Sequence, residues 1–192
     1  MRASLRTLTI FLVLSALTTF AQQAPSASPS VDSANPYSTF TKYAYIRIQK
    51  ILVASAEKMP EENYSFKPAD SVRSFGQVIG HVADAQYLFC SLASGEKNPA
   101  PKIEQTKTSK ADLIAALKDG IAYCNKVYDG MTDATGAQSI KLFGNDAPRL
   151  GALMVNNMHN MEHYGNLVTY MRIKNIVPPT SEQNPQTSPP KK

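Results

Sequence analysis

Apolar residues recur at helical spacing in four windows of the chain, and the prolines at 36, 60, 68, 99, 101, 148 and 178 fall between those windows, never inside one. Proline breaks a helix interior by removing a backbone donor and clashing with the preceding turn, so these gaps mark where helices can run. The first window, Tyr37 to Met59, carries Phe40, Tyr43, Ile46, Ile48, Ile51, Leu52 and Ala56, with Pro36 suited to the first turn. The second, Asp70 to Ser94, repeats Val72, Phe75, Val78, Ile79, Val82, Ala85, Leu88, Phe89 and Leu92; Asp70 and Ser71 are capping residues, and Gly95 is a stop. The third, Ser109 to Tyr128, places Leu113, Ile114, Leu117, Ile121 and Val127 on one stripe behind Ser109 as N-cap. The fourth, Arg149 to Lys174, is apolar around most of its circumference. This pattern predicts an all-α fold, a four-helix bundle. Ser139 to Phe143 could form a short strand, but no obvious partner follows it. The connection from Gly95 to Thr108 is long enough to cross the length of the bundle, which would make helices 2 and 3 parallel neighbours.

Both ends differ from this core. Arg2 and Arg6 precede an uncharged, mostly apolar run from Leu8 to Phe20, and Ala21 is a small residue at a plausible cleavage point. Residues 1–21 therefore read as a signal peptide, and the chain as exported, either periplasmic or secreted. The run is shorter than the roughly 20 residues a membrane span needs, so no stable membrane insertion is expected after cleavage. Residues 22–35 have linker composition, the bundle is expected over 36–177, and 178–192 form a Pro-rich tail.

The 192 residues carry 20 Lys plus Arg against 15 Asp plus Glu, and two of those positive charges lie in the leader. The rest is nearly neutral, which argues against a nucleic-acid partner. Two cysteines exclude a disulfide-stapled scaffold and Cys-rich zinc modules. Cys90 and Cys124, on helices 2 and 3, could bridge if those helices are parallel, although small core residues are the more usual reading. The methionines at 154, 158, 161 and 171 read as packing.

The chemistry is concentrated in three histidines. His159 and His163 are four apart and so share a face of the last helix, flanked by Asn156, Asn166 and Tyr170. His81 shares the core face of the second helix with Ser74, Val78, Ala85, Leu88 and Leu92. One such residue is ordinarily a hydrogen-bonded core histidine, and an H-x-x-x-H pair arises easily by accident. All three pointing inward together suggests a shared cation, because an unsatisfied buried polar group costs ~1–3 kcal/mol and a divalent ion satisfies one nitrogen of each ring. Asn156, Asn166 or backbone carbonyls could hold the other ring nitrogens. The string His159-Asn160-Met161-Glu162-His163 also fits H-x-x-E-H, but a peptidase of that kind is expected to need an acidic ligand downstream, and only Glu182 follows, inside the tail.

Three stretches together resemble the DinB-like (DinB/YfiT-like) superfamily of four-helix-bundle metalloenzymes: Glu57-Lys58-Met59-Pro60-Glu61-Glu62 with Phe66-Lys67-Pro68, then Arg73-Ser74-Phe75-Gly76-Gln77-Val78-Ile79-Gly80-His81, then His159-Asn160-Met161-Glu162-His163-Tyr164-Gly165. The resemblance runs from about Tyr37 to Pro179. It implies a long crossover between helices 2 and 3, a divalent metal such as zinc or nickel, and ligation by His81, His159 and His163. Some members are thiol-dependent transferases or isomerases; an exported chain departs from those that use cytoplasmic thiols. The resulting expectation is a metal-dependent hydrolase or transferase for a small-molecule substrate, with Asp84 and Glu162 as candidate proton shuttles and Tyr170 as a substrate-orienting group. The competing class is a non-catalytic bundle that binds metal or a partner. The Phe/Tyr/Ile face of the first helix fits either core or a homodimer surface.

Overall fold

A computed structural model describes residues 34–99 and 101–182. The expected signal peptide, nearly all of the linker and the end of the tail lie outside the described residues. Four long helices form the body: α1 (Pro36–Lys58), α2 (Phe75–Ser94), α4 (Lys110–Gly130) and α6 (Arg149–Ile173). Between them lie the one-turn helices α3 (Ile103–Thr106) and α5 (Asp133–Gly136), a hairpin of β1 (Ser139–Leu142) and β2 (Asn145–Pro148), and, after α6, the short α7 (Pro179–Glu182). The fold is all-α apart from that hairpin, as expected. No described helix is long and apolar enough to cross a membrane.

The helix starts follow local chemistry. α2 begins at Phe75, not at Asp70: the Ser74 side chain accepts from the Gln77 backbone N–H, and the Gln77 side chain accepts from the Ser74 backbone N–H. This reciprocal capping box satisfies two otherwise orphaned donors, which Asp70 and Ser71 cannot do from farther out. Ser109 caps α4 through the Asp112 N–H, and Gly95 closes α2 in the left-handed conformation, both as the residue types predict.

Contacts along the helices give their directions. Gly76 meets Leu113, Gly120 meets Ala83 and Gln86, and Cys90 meets Cys124, so α2 and α4 run parallel. The long crossover expected between the second and third long helices is therefore real, joining α2 to α4. α6 runs antiparallel to α2, as shown by His81 facing His159 while Gln86 meets Asn160 and Asn156. Cys90 and Cys124 are joined as a disulfide with Cα atoms 5.4 Å apart, the bridge that parallel helices allow, in place of the more usual pair of unlinked core residues. Parallel packing sets the two positions at one height, so the Cα atoms fall within bridging distance.

Two apolar clusters make up the core. Leu52, Phe75, Ile79, Leu117 and Leu167 lie at one end, and Phe89, Ala93, Tyr128 and Leu153 at the other. The methionine stripe departs from expectation: only Met171 is buried, while Met154, Met158 and Met161 face outward. On α1, Tyr45, Ile48, Leu52 and Ala56 are core, whereas Tyr37 and Phe40 are exposed. The chain stays packed beyond Val177, since Tyr164 bonds Thr180 and Lys58 pairs with Glu182.

Ser139–Leu142 does find a partner, the immediately following Asn145–Pro148, with Leu142 opposite Asn145. The Asn-Asp-Ala-Pro strand has no β-branched or aromatic residue to signal it. Its two-residue turn requires positive φ at both central positions; Gly144 (φ 83°) supplies this freely, but Phe143 (φ 51°) does not. A side chain in that region costs on the order of 1–2 kcal/mol, which Asn or Gly would largely avoid.

Candidate metal centre

His81 projects from the middle of α2, and His159 and His163 from successive turns of α6, so the antiparallel contact between these helices brings the three rings together. The Nε2 atom of His159 lies 3.0 Å from that of His81 and 3.1 Å from that of His163. The three rings form a group able to hold one metal ion, with potential ligand atoms all within 4.8 Å of one another. Nitrogens held about 2.0–2.1 Å from a tetrahedral cation stand about 3.3 Å apart, close to the two spacings that His159 makes.

The hydrogen bonding explains why a cation suits these rings. His81 Nδ1 lies 3.1 Å from Glu104 Oε2, which favours a proton on Nδ1 and turns the Nε2 lone pair inward. His163 Nδ1 lies 3.2 Å from the Asn166 amide, a group that can also present its oxygen. His159 Nδ1 is buried with no hydrogen-bond partner among the described residues. A single Nε2–H on His159 could serve only one of its two neighbours, so protein groups alone leave this cluster unsatisfied in either tautomer. Burial, then the neighbouring His163, His81 and Arg73, push the pKa of His159 down to about 3. Burial lowers that of His163 too, against opposition from Glu162 and Glu104. These two rings are thus held neutral, the form that ligates a metal.

Glu104 carries no periodic signal in the sequence, because it sits on the one-turn α3 within the crossover. Three contacts place it. Arg73 Nε donates to Glu104 Oε1 at 2.8 Å. The carboxylate of Asp84 accepts the backbone N–H groups of Ile103 and Glu104 at 2.8 and 3.0 Å, pinning the start of α3. Gly80 provides the necessary clearance: a Cβ there would stand 2.8 Å from the Glu104 Cα. Both oxygens of Asp84, one of the two candidate proton shuttles, thus serve to hold the crossover. Glu162 is exposed at the rim beside His163. Asn166 reaches the cluster as expected, whereas Asn156 turns toward Gln86. The Tyr170 hydroxyl donates to the Arg73 carbonyl oxygen at 2.9 Å, so this residue supports the loop that carries Arg73. Glu182, paired with Lys58, is not a member of the histidine group, which removes the acidic ligand the H-x-x-E-H reading required.

Two clefts flank the rings. One, of about 560 Å³, is bordered by Arg73, Gln77, Glu104, Glu162 and His163. The other, of about 420 Å³, reaches His81 and His159 past Leu88, Phe89 and Phe143.

The sequence profile of the DinB superfamily matches residues 44–167, and the chain belongs to that family. It is 26% identical over 120 residues to the uncharacterized protein YjoA of Bacillus subtilis (strain 168), covering 61% of this chain and 77% of that protein. The crystal structure of YjoA superposes with a TM-score of 0.59 at 23% identity, over 71% of this chain and 92% of YjoA. A DinB-like protein from Bacillus cereus ATCC 10987 gives 0.62 at 18% identity, over 75% and 94% of the two chains. A mycothiol-dependent maleylpyruvate isomerase shares the fold with a TM-score of 0.59 at 13% identity, over 68% of this chain and 60% of the isomerase.

Proposed function

We propose that this chain binds a divalent metal ion, zinc or nickel, through His81, His159 and His163, and that it is an enzyme performing hydrolysis or group transfer on a small molecule. The observation that carries the reading is the convergence of three Nε2 atoms in a cluster that protein hydrogen bonds do not satisfy. Bound there, the ion would supply Lewis-acid polarisation of a substrate carbonyl or phosphoryl oxygen. Glu104 holds His81 in the ligating tautomer, and Arg73 holds Glu104. Glu162, at the rim of the polar cleft, is the carboxylate free to exchange a proton with substrate. The isomerase supports the enzymatic reading at the level of shared fold. Export belongs to the same proposal and is supported by the Cys90–Cys124 bond, since such bonds persist in oxidising compartments.

Elemental analysis of untagged protein, loaded with zinc or nickel, tests the metal. We expect one ion per chain in wild type and none in His81→Ala. A panel of esters, amides and thiol conjugates tests turnover, which should vanish in His81→Ala and persist in Glu182→Ala. Wild type that retains no metal would remove the basis of the proposal; bound metal without turnover across the panel would favour a metal-binding module.

A further inference from the structure

The apolar cleft carries an anomaly that folding does not explain. Phe143, at the tip of the hairpin, is 71% exposed and holds a left-handed backbone conformation that suits Asn or Gly far better. Solvation and backbone preference therefore both oppose phenylalanine at this position. Its place in the site accounts for it. The Phe143 ring lies 6.1 Å from that of Phe89 at 83°, and the Phe89 ring lies 5.5 Å from that of His159. A line of rings thus leads from the lip of the cleft to the triad, with the partly exposed Leu88 also lining the cleft.

Resting on the metal-dependent reading above, we propose that this cleft receives an aromatic group of the substrate, and that Phe143 is the residue that selects for it. The buried Phe89 braces Phe143 at nearly a right angle, which leaves the exposed Phe143 ring as the surface a third ring can stack on or meet edge-on, as aromatic groups prefer. The volume of about 420 Å³ exceeds the roughly 150 Å³ cavity that accepts benzene, leaving room for one or two rings. A substrate seated there would present its reacting group to the triad and its polar remainder to the cleft bordered by Arg73 and Glu162.

Calorimetric titration of the zinc-loaded full chain with benzohydroxamate and acetohydroxamate, which share a chelating group and differ in the ring, tests the assignment. Phe143→Ala should weaken benzohydroxamate about 5- to 10-fold and leave acetohydroxamate and metal content unchanged. Phe143→Asn, which suits the turn, should lose the same ring preference with a Tm at or above that of wild type. An unchanged preference, an equal loss for both probes, or a Phe143→Asn protein melting several degrees lower would overturn the assignment. If the protein retains no metal, the functional reading fails separately. Benzyl alcohol binding to metal-free protein then decides for the cleft: weakening in Phe143→Ala supports it, and no change overturns it.

Discussion

Two groups of polar side chains meet where α2 packs on α6, and they have opposite internal economies. Gln86 is five residues beyond His81 on α2, about 7.5 Å further along the axis. Its Oε1 accepts from the Tyr45 hydroxyl at 3.0 Å and the Asn156 amide at 3.2 Å, while its Nε2 donates to Asn160 Oδ1 at 2.8 Å and the Val82 carbonyl at 3.2 Å. Tyr128 donates to the Leu153 carbonyl at 2.9 Å and stacks on Tyr45, and burial, above all, raises the pKa of both phenols. The Gln86 amide is fully partnered. The histidine triad, built on the same scaffold, points nitrogens at one another and leaves His159 Nδ1 without a partner among the described residues. A saturated network fixes how helices pack; an unsaturated one is held in shape by its surroundings and remains available to a ligand.

Mutations should separate the two. The largest effect is expected for His159→Ala, which should weaken zinc binding beyond the roughly 10- to 100-fold typical of losing an outer partner. Metal-free stability should fall by no more than about 1 kcal/mol, because the lost ring was unsatisfied. Competition with a chromophoric chelator and denaturant titration measure the two quantities; a large loss of metal-free stability would make the triad structural. Next, Cys90→Ala/Cys124→Ala should lower stability by about 3–4 kcal/mol, from the closure entropy of a crosslink spanning 34 positions. Urea unfolding of this variant should show that loss, with zinc affinity largely kept. Gln86→Ala follows, at about 3 kcal/mol, because it strands the Tyr45 hydroxyl and Asn160 Oδ1 together; thermal melts should register this with the triad still able to load metal. Smallest is Glu104→Gln, expected to weaken zinc about 10-fold with little change in the melting curve, since the partly exposed ion pair with Arg73 that it also removes is worth at most about 1 kcal/mol.

The same contrast shows how much could be read from the chain. The four helices and the inward-facing histidines were legible because each rests on spacing within one segment: His159 and His163 are one turn apart, and His81 falls on an apolar face. Features that depend on two segments meeting were not. Glu104 sits in an aperiodic crossover, and its importance emerges only once Gly80 lets α3 approach α2. Asp84 looked like an acid at the margin of a site until the backbone N–H groups of Ile103 and Glu104 proved to occupy it. The outward methionines show a limit of periodicity, which marks an apolar stripe without saying whether another element covers it. Phe143 gave no signal beyond the end of a possible strand, because the turn that displays it depends on Asn145–Pro148, which lacks any strand propensity of its own.

The bond between Cys90 and Cys124 also has a topological consequence. It turns the crossover into a covalent ring that contains α3 and therefore the carboxylate behind His81. A protease nick within that ring would leave both halves tethered in one molecule, and reduction would be required before either fragment could separate.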